Sequence, residues 1–317
     1  MCHIMQIPSV MHSCAGSVYK EDKPLADNNF FHDSLLASAE DEHKVLTVTS
    51  ASSVQPAILL RLGVFVPNSR ALKKGSEHII DVSEPFSSLE FARKEGYNDI
   101  QIRGERLNIT SDFSVWMGVI GAFSKYGRDS NNITLPFKEF AQLCQYDSRQ
   151  VNHRLRDQIF DSLAKLGTKV VQFKRREGNG KMFFTQLLKT ALLDRDKDTV
   201  TLEADERLWE LYEIDYTILL RKKPYTYLKG KEVAQTLYTY IASLPDNPAP
   251  ISFSRIRERL LLTSPVPEQN RLIKNALLAM EKIGYIEYSI IKKGRESFLF
   301  INKRNKKLKE LYENDVS

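Results

Sequence analysis

The chain has 317 residues, of which 42% are hydrophobic and 27% charged, a composition typical of a soluble globular protein. No apolar run approaches the ~18–20 residues of a membrane-spanning helix, and the scattered Cys2, Cys14 and Cys144 are too few for a disulfide framework. A membrane protein and a disulfide-stabilised domain are therefore excluded. With no secretory signal pattern at its start, the protein is expected to be cytoplasmic.

The formal net charge is +6, and it is unevenly distributed along the chain. Residues 1–52 carry three basic and seven acidic side chains, whereas residues 229–310 carry 16 basic and eight acidic ones. A basic surplus concentrated in one part of a chain is typical of a protein that binds a polyanion. Charge alone is weak evidence, because many basic proteins bind no nucleic acid.

Residues 1–53 show no sustained periodicity, and they predict a flexible acidic N-terminal arm. Cys2, His3, His12 and Cys14 lie here and could in principle bind zinc. Adjacent cysteine and histidine residues depart from the usual ligand spacing, however, so no metal site and no cofactor is predicted.

Ordered structure begins at about residue 54 with the apolar stretch 58–66, and a first group of elements follows. Helical periodicity alternates with short strand patterns, and the third helix ends at Gly167, a suitable C-cap. The predicted elements are a helix at 113–126, a strand at 133–136, helices at 137–144 and 149–166, and strands at 170–174 and 182–187. Residues 188–228, with a strand pattern at 199–202, are assigned to the wing and linker of this unit.

The same order of elements then recurs. The peptide SLAKLGTKVVQF in the first copy corresponds to AMEKIGYIEYSI in the second, and Pro267 falls in the first turn of a helix, where its missing N–H costs nothing. The predicted elements are a helix at 230–243, a strand at 251–253, helices at 254–262 and 267–283, and strands at 285–291 and 298–302.

Helix, strand, helix, turn, helix and hairpin is the order of a winged helix. We therefore predict an α+β protein with two tandem winged-helix domains behind a flexible arm. The arm spans residues 1–53. The first domain, with an N-terminal extension and a linker, spans 54–228, and the second, with a basic C-terminal tail, spans 229–310.

The third helix of a helix-turn-helix fits the major groove of DNA, with its N-terminal turns nearest the base edges. In the second copy an apolar stripe must face the core, which leaves four polar residues outside. These are Asn270 at the flank and Arg271, Lys274 and Asn275 on the outward face. Arginine can pair with guanine and asparagine with adenine, each for about 1–3 kcal/mol of base discrimination. None of the four is acidic.

The first copy presents a similar but poorer surface, because Asp157 shares the outward face of its third helix. The residues predicted to face DNA there are Arg149, Gln150, His153 and Arg154. Both hairpins carry basic residues suited to phosphate or minor-groove contacts. In the predicted wings these are Lys174, Arg175, Arg176, Lys181, Lys292, Lys293 and Arg295.

Catalytic motifs are absent from the sequence. The glycines near residue 180 lack the spacing of a phosphate-binding loop and are typical of a hairpin turn. Tyr225 and Tyr227 lie in a basic stretch, yet no paired-histidine metal site accompanies them, as a nicking enzyme would need. We therefore predict that the protein is not an enzyme and has no catalytic residues.

Several stretches resemble a known family. VQPAILLRLGVFVP, DFSVWMGVIGAFSKY, LPFKEFAQLC and LEADERLWELYEID are similar to segments of the RepFIB-type RepA replication initiators of enterobacterial plasmids. So are AQTLYTYIASLPDNPAPISFSRIRERLLLTSP and KIGYIEYSIIKKGR, and the resemblance runs in unbroken order over about residues 54–305.

The resemblance implies a tandem winged-helix initiator that binds repeated origin sequences (iterons) in double-stranded DNA and promotes origin opening. It also implies recruitment of the host bacterial initiator and replicative helicase, and repression of the protein's own gene, with a possible homodimer. Two alternatives remain: a helix-turn-helix repressor without an origin role, and, less favoured, a tyrosine-dependent nicking or recombination enzyme.

Overall fold

The computed structural model describes residues 51–68, 80–81, 97–104, 106–127, 131–175, 182–209, 212, 217–305 and 308. The predicted arm therefore lies outside the described residues except at its C-terminal end. Across these described ranges, no helix is both long and apolar enough to cross a membrane.

The N-terminal extension of the first unit consists of short elements. They are β1 (Ser52–Pro56), α1 (Ala57–Arg61), β2 (Phe65–Val66), β3 (Ile80–Asp81), β4 (Tyr97–Arg103) and β5 (Leu107–Asn108). Gly63 has φ +65°, and a Cβ there would lie 3.0 Å from the carbonyl oxygen of Arg259. This close approach brings α1 and β2 against the second unit.

The helices of the first unit follow the predicted order. They are α2 (Asp112–Tyr126), then β6 (Asn132–Pro136), α3 (Phe137–Leu143) and α4 (His153–Thr168). The predicted start of α4 at residue 149 is wrong, because Ser148–Gln150 form a separate 3-10 turn. The Asn152 side chain accepts a hydrogen bond from the Leu155 N–H at 2.9 Å, which caps α4 and starts it afresh.

Four strands follow α4, and a linker then leads to the second unit. The strands are β7 (Val170–Arg175), β8 (Met182–Gln186), β9 (Thr190–Asp194) and β10 (Thr199–Glu203). The linker holds β11 (Thr217–Arg221) and α5 (Lys222–Tyr227), and β11 pairs antiparallel with β1. The two ends of the first unit thus meet beside the second.

The second unit matches the prediction closely. Its elements are α6 (Glu232–Ala242), β12 (Ile251–Ser252), α7 (Phe253–Leu260), α8 (Val266–Lys282), β13 (Ile286–Lys293) and β14 (Glu296–Arg304). Ile273, Leu277 and Met280 on α8 are fully buried, as the apolar stripe predicts. The Ser252 side chain caps α7 by accepting from the Arg255 N–H at 3.2 Å.

Strand pairing corrects the predicted wing of the first unit. In the second unit the sheet order is β12-β14-β13, and the equivalent order in the first unit is β6-β10-β9. The hairpin that corresponds to β13–β14 is therefore β9–β10. The predicted hairpin, β7–β8, instead joins β4 and β3 in a separate four-stranded sheet. The extra hairpin β7–β8 lies between α4 and β9. It begins in the peptide SLAKLGTKVVQF, and the similarity of this peptide to AMEKIGYIEYSI led to the prediction that β7–β8 is the wing.

The two units share one continuous hydrophobic core, and arginine side chains span their junction. Arg61 Nε donates to the Ser243 carbonyl at 3.0 Å, and Arg106 Nη2 donates to the Leu261 carbonyl at 3.1 Å. Arg259 donates in the opposite direction, to the carbonyl of Leu60. These acceptors lie at helix ends, where carbonyl groups lack partners within the helix. Because each hydrogen bond joins residues of different units, the three arginines hold the units together.

Candidate nucleic-acid interface

The start of α8 is held rigidly against the turn that precedes it. Gln269 is buried, and its Nε2 donates to the Leu262 carbonyl at 3.1 Å and to the carbonyl of Ser264. The outward face of the helix keeps Arg271 and Lys274 exposed, as predicted. A rigid helix with two exposed cations satisfies the geometric requirement for a groove-reading element.

Arg271 is not isolated, because Glu268 lies one turn before it. Its Nε and Nη2 donate to the two carboxylate oxygens at 2.7 and 2.6 Å. The pairing lowers the pKa of Glu268 and raises that of Arg271. One side of the guanidinium is thereby fixed, and the Nη1 edge stays available for an acceptor pair such as that of guanine. The i,i+3 spacing of the two residues could have revealed this pair in the sequence.

Asn270 is also oriented by a neighbour. Arg257 on α7 donates from Nη1 to the Asn270 Oδ1 at 2.8 Å. A guanidinium only donates hydrogen bonds, so the amide oxygen must face Arg257 and the NH₂ group turns away. Arg257 Nη2 lies 3.8 Å from Glu296 at the start of β14, so one side chain joins helix and wing. Sequence reasoning missed Arg257 because it belongs to neither element.

Asn275 is the fourth residue predicted to face outward on α8. It is exposed, but it borders a groove of about 870 Å³ between the units, together with Leu272, Lys282 and, from the first unit, Asn68 and Arg106. The outward face of α8 is thus divided between Arg271 and Lys274 on one side and the groove on the other.

The wing of the second unit presents its predicted cations at its tip. Lys292, Lys293 and Arg295 are exposed, and Gly294 at the turn has φ +61°. The next residue, Glu296, is engaged elsewhere, since its Oε1 accepts from the Ser254 N–H at 3.2 Å. The carboxylate nearest the tip is therefore held back against α7.

In the first unit the predicted probe residues separate into two groups. His153 and Arg154 are exposed on the first turn of α4. Arg149 and Gln150 precede the helix, where Arg149 donates to Asp147 at 3.3 and 3.2 Å and Gln150 completes a capping box. The Arg149 side chain lowers the pKa of Asp147. These two residues stabilise the turn, and only two of the four are presented by the helix.

The actual wing of the first unit, β9–β10, carries a balanced set of charges. Arg195 pairs with Asp157 on α4, and Arg156 lies 2.7 Å from Asp198. Lys197 lies 3.8 Å from Asp194, the pKa of which is lowered mainly by the Lys197 backbone N–H. The cations of this wing are neutralised within the protein, unlike those of the second.

The cations predicted for the first wing lie elsewhere. Lys174 and Arg175 belong to β7 and so to the four-stranded sheet, while Arg176 and Lys181 fall outside the described residues. The strand pairing gives Lys174 and Arg175 no place on the wing of the first unit.

Tyr225, the first tyrosine of the basic stretch, is buried, and its hydroxyl donates to the Ile109 carbonyl. Burial raises its pKa, which disfavours the nucleophilic phenolate. Tyr227 is more exposed, and the Lys223 ammonium lies 5.8 Å from its ring centroid. In the described part of the chain no group of histidine, cysteine and carboxylate residues could hold a metal ion. The buried Tyr225 ring packs in the core, with its centroid 5.5 Å from that of Phe113.

The chain is similar to known replication proteins. Residues 117–242 match the family model described as initiator replication protein, WH1. The chain is 49% identical over 283 residues to replication protein RepA of Escherichia coli, covering 89% of this chain and 99% of that protein. It is 41% identical over 268 residues to RepFIB replication protein A of Salmonella typhi, covering 83% and 82%.

Among solved structures, domains 2 and 3 of RctB superpose with a TM-score of 0.48 at 12% identity, covering 78% of this chain and 98% of that one. The sequence relationships to the two RepA proteins differ from this likeness in their identity, which is 49% and 41% over most of both chains. The resemblance recognised in the sequence is thereby confirmed: the chain belongs to the RepA family of replication initiator proteins.

Proposed function

We propose that the protein initiates plasmid replication by binding repeated sequences (iterons) in the double-stranded DNA of the origin. The observation that carries this proposal is the surface formed by Arg271, Lys274 and the wing tip of the second unit. Rigid positioning by Gln269 and Arg257 reduces the entropy lost when such a surface binds.

The two units have different roles in this proposal. The second unit reads bases with α8 and contacts phosphates with Lys292, Lys293 and Arg295. The first unit contributes phosphate contacts through His153 and Arg154, and the balanced charge of its wing limits its share of the affinity. Because the units are successive along one chain, a single iteron should span about two helical turns.

The later steps of initiation rest on the family alone. Binding would distort an adjacent DNA segment, recruit the host initiator and replicative helicase, and repress the protein's own gene, with a homodimer as the repressing form. None of these steps requires bond chemistry by this chain, so the protein acts as a binding protein rather than an enzyme.

A plasmid rescue experiment tests the proposal. A plasmid without its own origin, carrying this gene and its flanking DNA, should replicate in a suitable host, and it should fail when Arg271 and Lys274 are changed to alanine. Specific repression of the gene without any rescue would instead favour the repressor alternative. A covalent DNA adduct lost on Tyr227→Phe would favour the nicking enzyme.

A further inference from the structure

The tip of α8 carries a side chain that does not match its surroundings. Val266, the first residue of the helix, is 52% exposed between Pro265 and Pro267, which are exposed as well. Further along the same helix, the exposed Arg271 and Lys274 are charged. One apolar side chain therefore lies at the end of the helix that a winged helix brings nearest to base edges.

The tip is poorly suited to phosphate. Helix N-termini bind anions through unpaired backbone N–H groups, but Pro265 and Pro267 have none. The N–H of Gln269 is donated to the Pro265 carbonyl at 3.0 Å, so the first turn has only the N–H groups of Val266 and Glu268 to offer. The Glu268 carboxylate, on the same turn, is paired with Arg271, so the pair brings no net positive charge to the tip. The chemistry of this tip therefore fits an uncharged apolar group.

In the major groove of DNA the exposed apolar group is the 5-methyl group of thymine. We propose that Val266 contacts this methyl group and makes the second unit select thymine at one position of its site. The inference rests on the proposed function, because it requires the first turn of α8 to lie against base edges. The two prolines and the buried Gln269 side chain hold the valine in place.

The experiment uses the full chain and a duplex containing its mapped origin site, with each thymine replaced in turn by uracil, which lacks only the methyl group. One replacement should weaken binding by about fourfold, the equivalent of ~0.8 kcal/mol for one buried methyl group. Val266→Ala should reduce the thymine/uracil ratio at that position to about one. Since Val266 is exposed, the variant should fold normally, which its thermal unfolding checks.

Leu278→Ala is the matched control. Leu278 is 44% exposed on the same helix but borders the groove between the units, three turns away from the tip. This variant should keep the fourfold ratio. A second set of modified duplexes carries 5-methylcytosine in place of each cytosine, because that base presents the same methyl group as thymine.

The possible outcomes distinguish a failure of the thymine contact from a failure of the proposed function. If wild type prefers origin DNA over random duplex but no thymine responds to uracil, or if Val266→Ala keeps the ratio, the inference is overturned and the proposed function stands. A response confined to 5-methylcytosine overturns the assignment to thymine. If wild type shows no preference for origin DNA, the proposed function itself fails.

Discussion

The two units share an order of strands but differ in how they use their charges. In the second, no described carboxylate pairs with Lys274, Lys292 or Arg295, so these cations can face a ligand. In the first, the cations around the wing pair with Asp157, Asp194 and Asp198. A winged-helix topology therefore does not determine a DNA-binding surface, since the distribution of carboxylates decides which cations are available.

The difference also concerns rigidity. In the second unit Arg257 joins α7, the flank of α8 and the start of β14, so helix and wing are held in one arrangement. In the first, the wing is tied to α4 by exposed ion pairs, which contribute little stability and weaken with salt. Four variants test this difference between the units.

The largest effect is expected from removing the cations of the second wing. The triple variant Lys292→Ala, Lys293→Ala, Arg295→Ala should weaken binding to specific and random duplexes alike, by roughly 100-fold at about 0.1 M salt. Its log–log salt dependence should flatten by about 2–3 units. The double variant Arg195→Ala, Lys197→Ala in the first wing is the control. An equal loss of DNA affinity in this control would contradict the expected difference between the two wings.

Arg271→Ala should weaken specific binding by about 1–3 kcal/mol and relax selection at one base position, because its free edge pairs with a guanine. Selection of binding sites from a random pool measures the relaxation. Glu268→Gln keeps the size of its side chain but weakens the support of Arg271, so its effect should be smaller at the same position. Equal losses on specific and random DNA for Arg271→Ala would refute the base-reading role.

Removing carboxylates that pair with the cations around the first wing should increase the affinity for DNA. Asp157→Asn with Asp198→Asn releases Arg195 and Arg156 from their ion pairs. Binding should tighten by a few-fold at low salt, with a salt dependence steeper by about 1–2 units, if this wing lies near phosphates. Unchanged affinity and slope would place the wing away from the DNA.

The smallest effect is expected for Arg149→Ala, because this side chain is engaged with Asp147 ahead of the helix. Specific binding should change by less than about twofold, within the typical range for an exposed ion pair. Arg154→Ala, one turn later and exposed, is the comparison and should weaken binding more. A larger loss of specific affinity for Arg149→Ala would indicate that Arg149 contacts DNA.

Periodic patterns were sufficient to predict the three helices of the winged-helix order in each unit, apart from the start of α4, and the apolar stripe of α8. The predicted helix at 267–283 and the observed Val266–Lys282 differ by only one residue at each end. The agreement is close because a helix that buries one face repeats apolar residues every three to four positions. Arg271 and Lys274 are exposed for the same reason, since they occupy the opposite face of α8.

The predicted wing of the first unit was wrong because hairpins look alike in sequence. Strands β7–β8 and β9–β10 both have the alternation of a hairpin, and only pairing with β6 distinguishes them. Strand pairing is a contact between segments distant in the chain, and local periodicity does not specify the partner.

The amino-acid sequence alone determined the repeated helix-turn-helix order, the family and the basic face of α8, because each depends on the periodicity or the types of neighbouring residues. The tertiary structure decided which hairpin is the wing, that the cations of the first wing are neutralised, and that Arg257 orients Asn270. Each of these results depends on side chains or strands brought together from separate parts of the chain, and folding alone determines those distances.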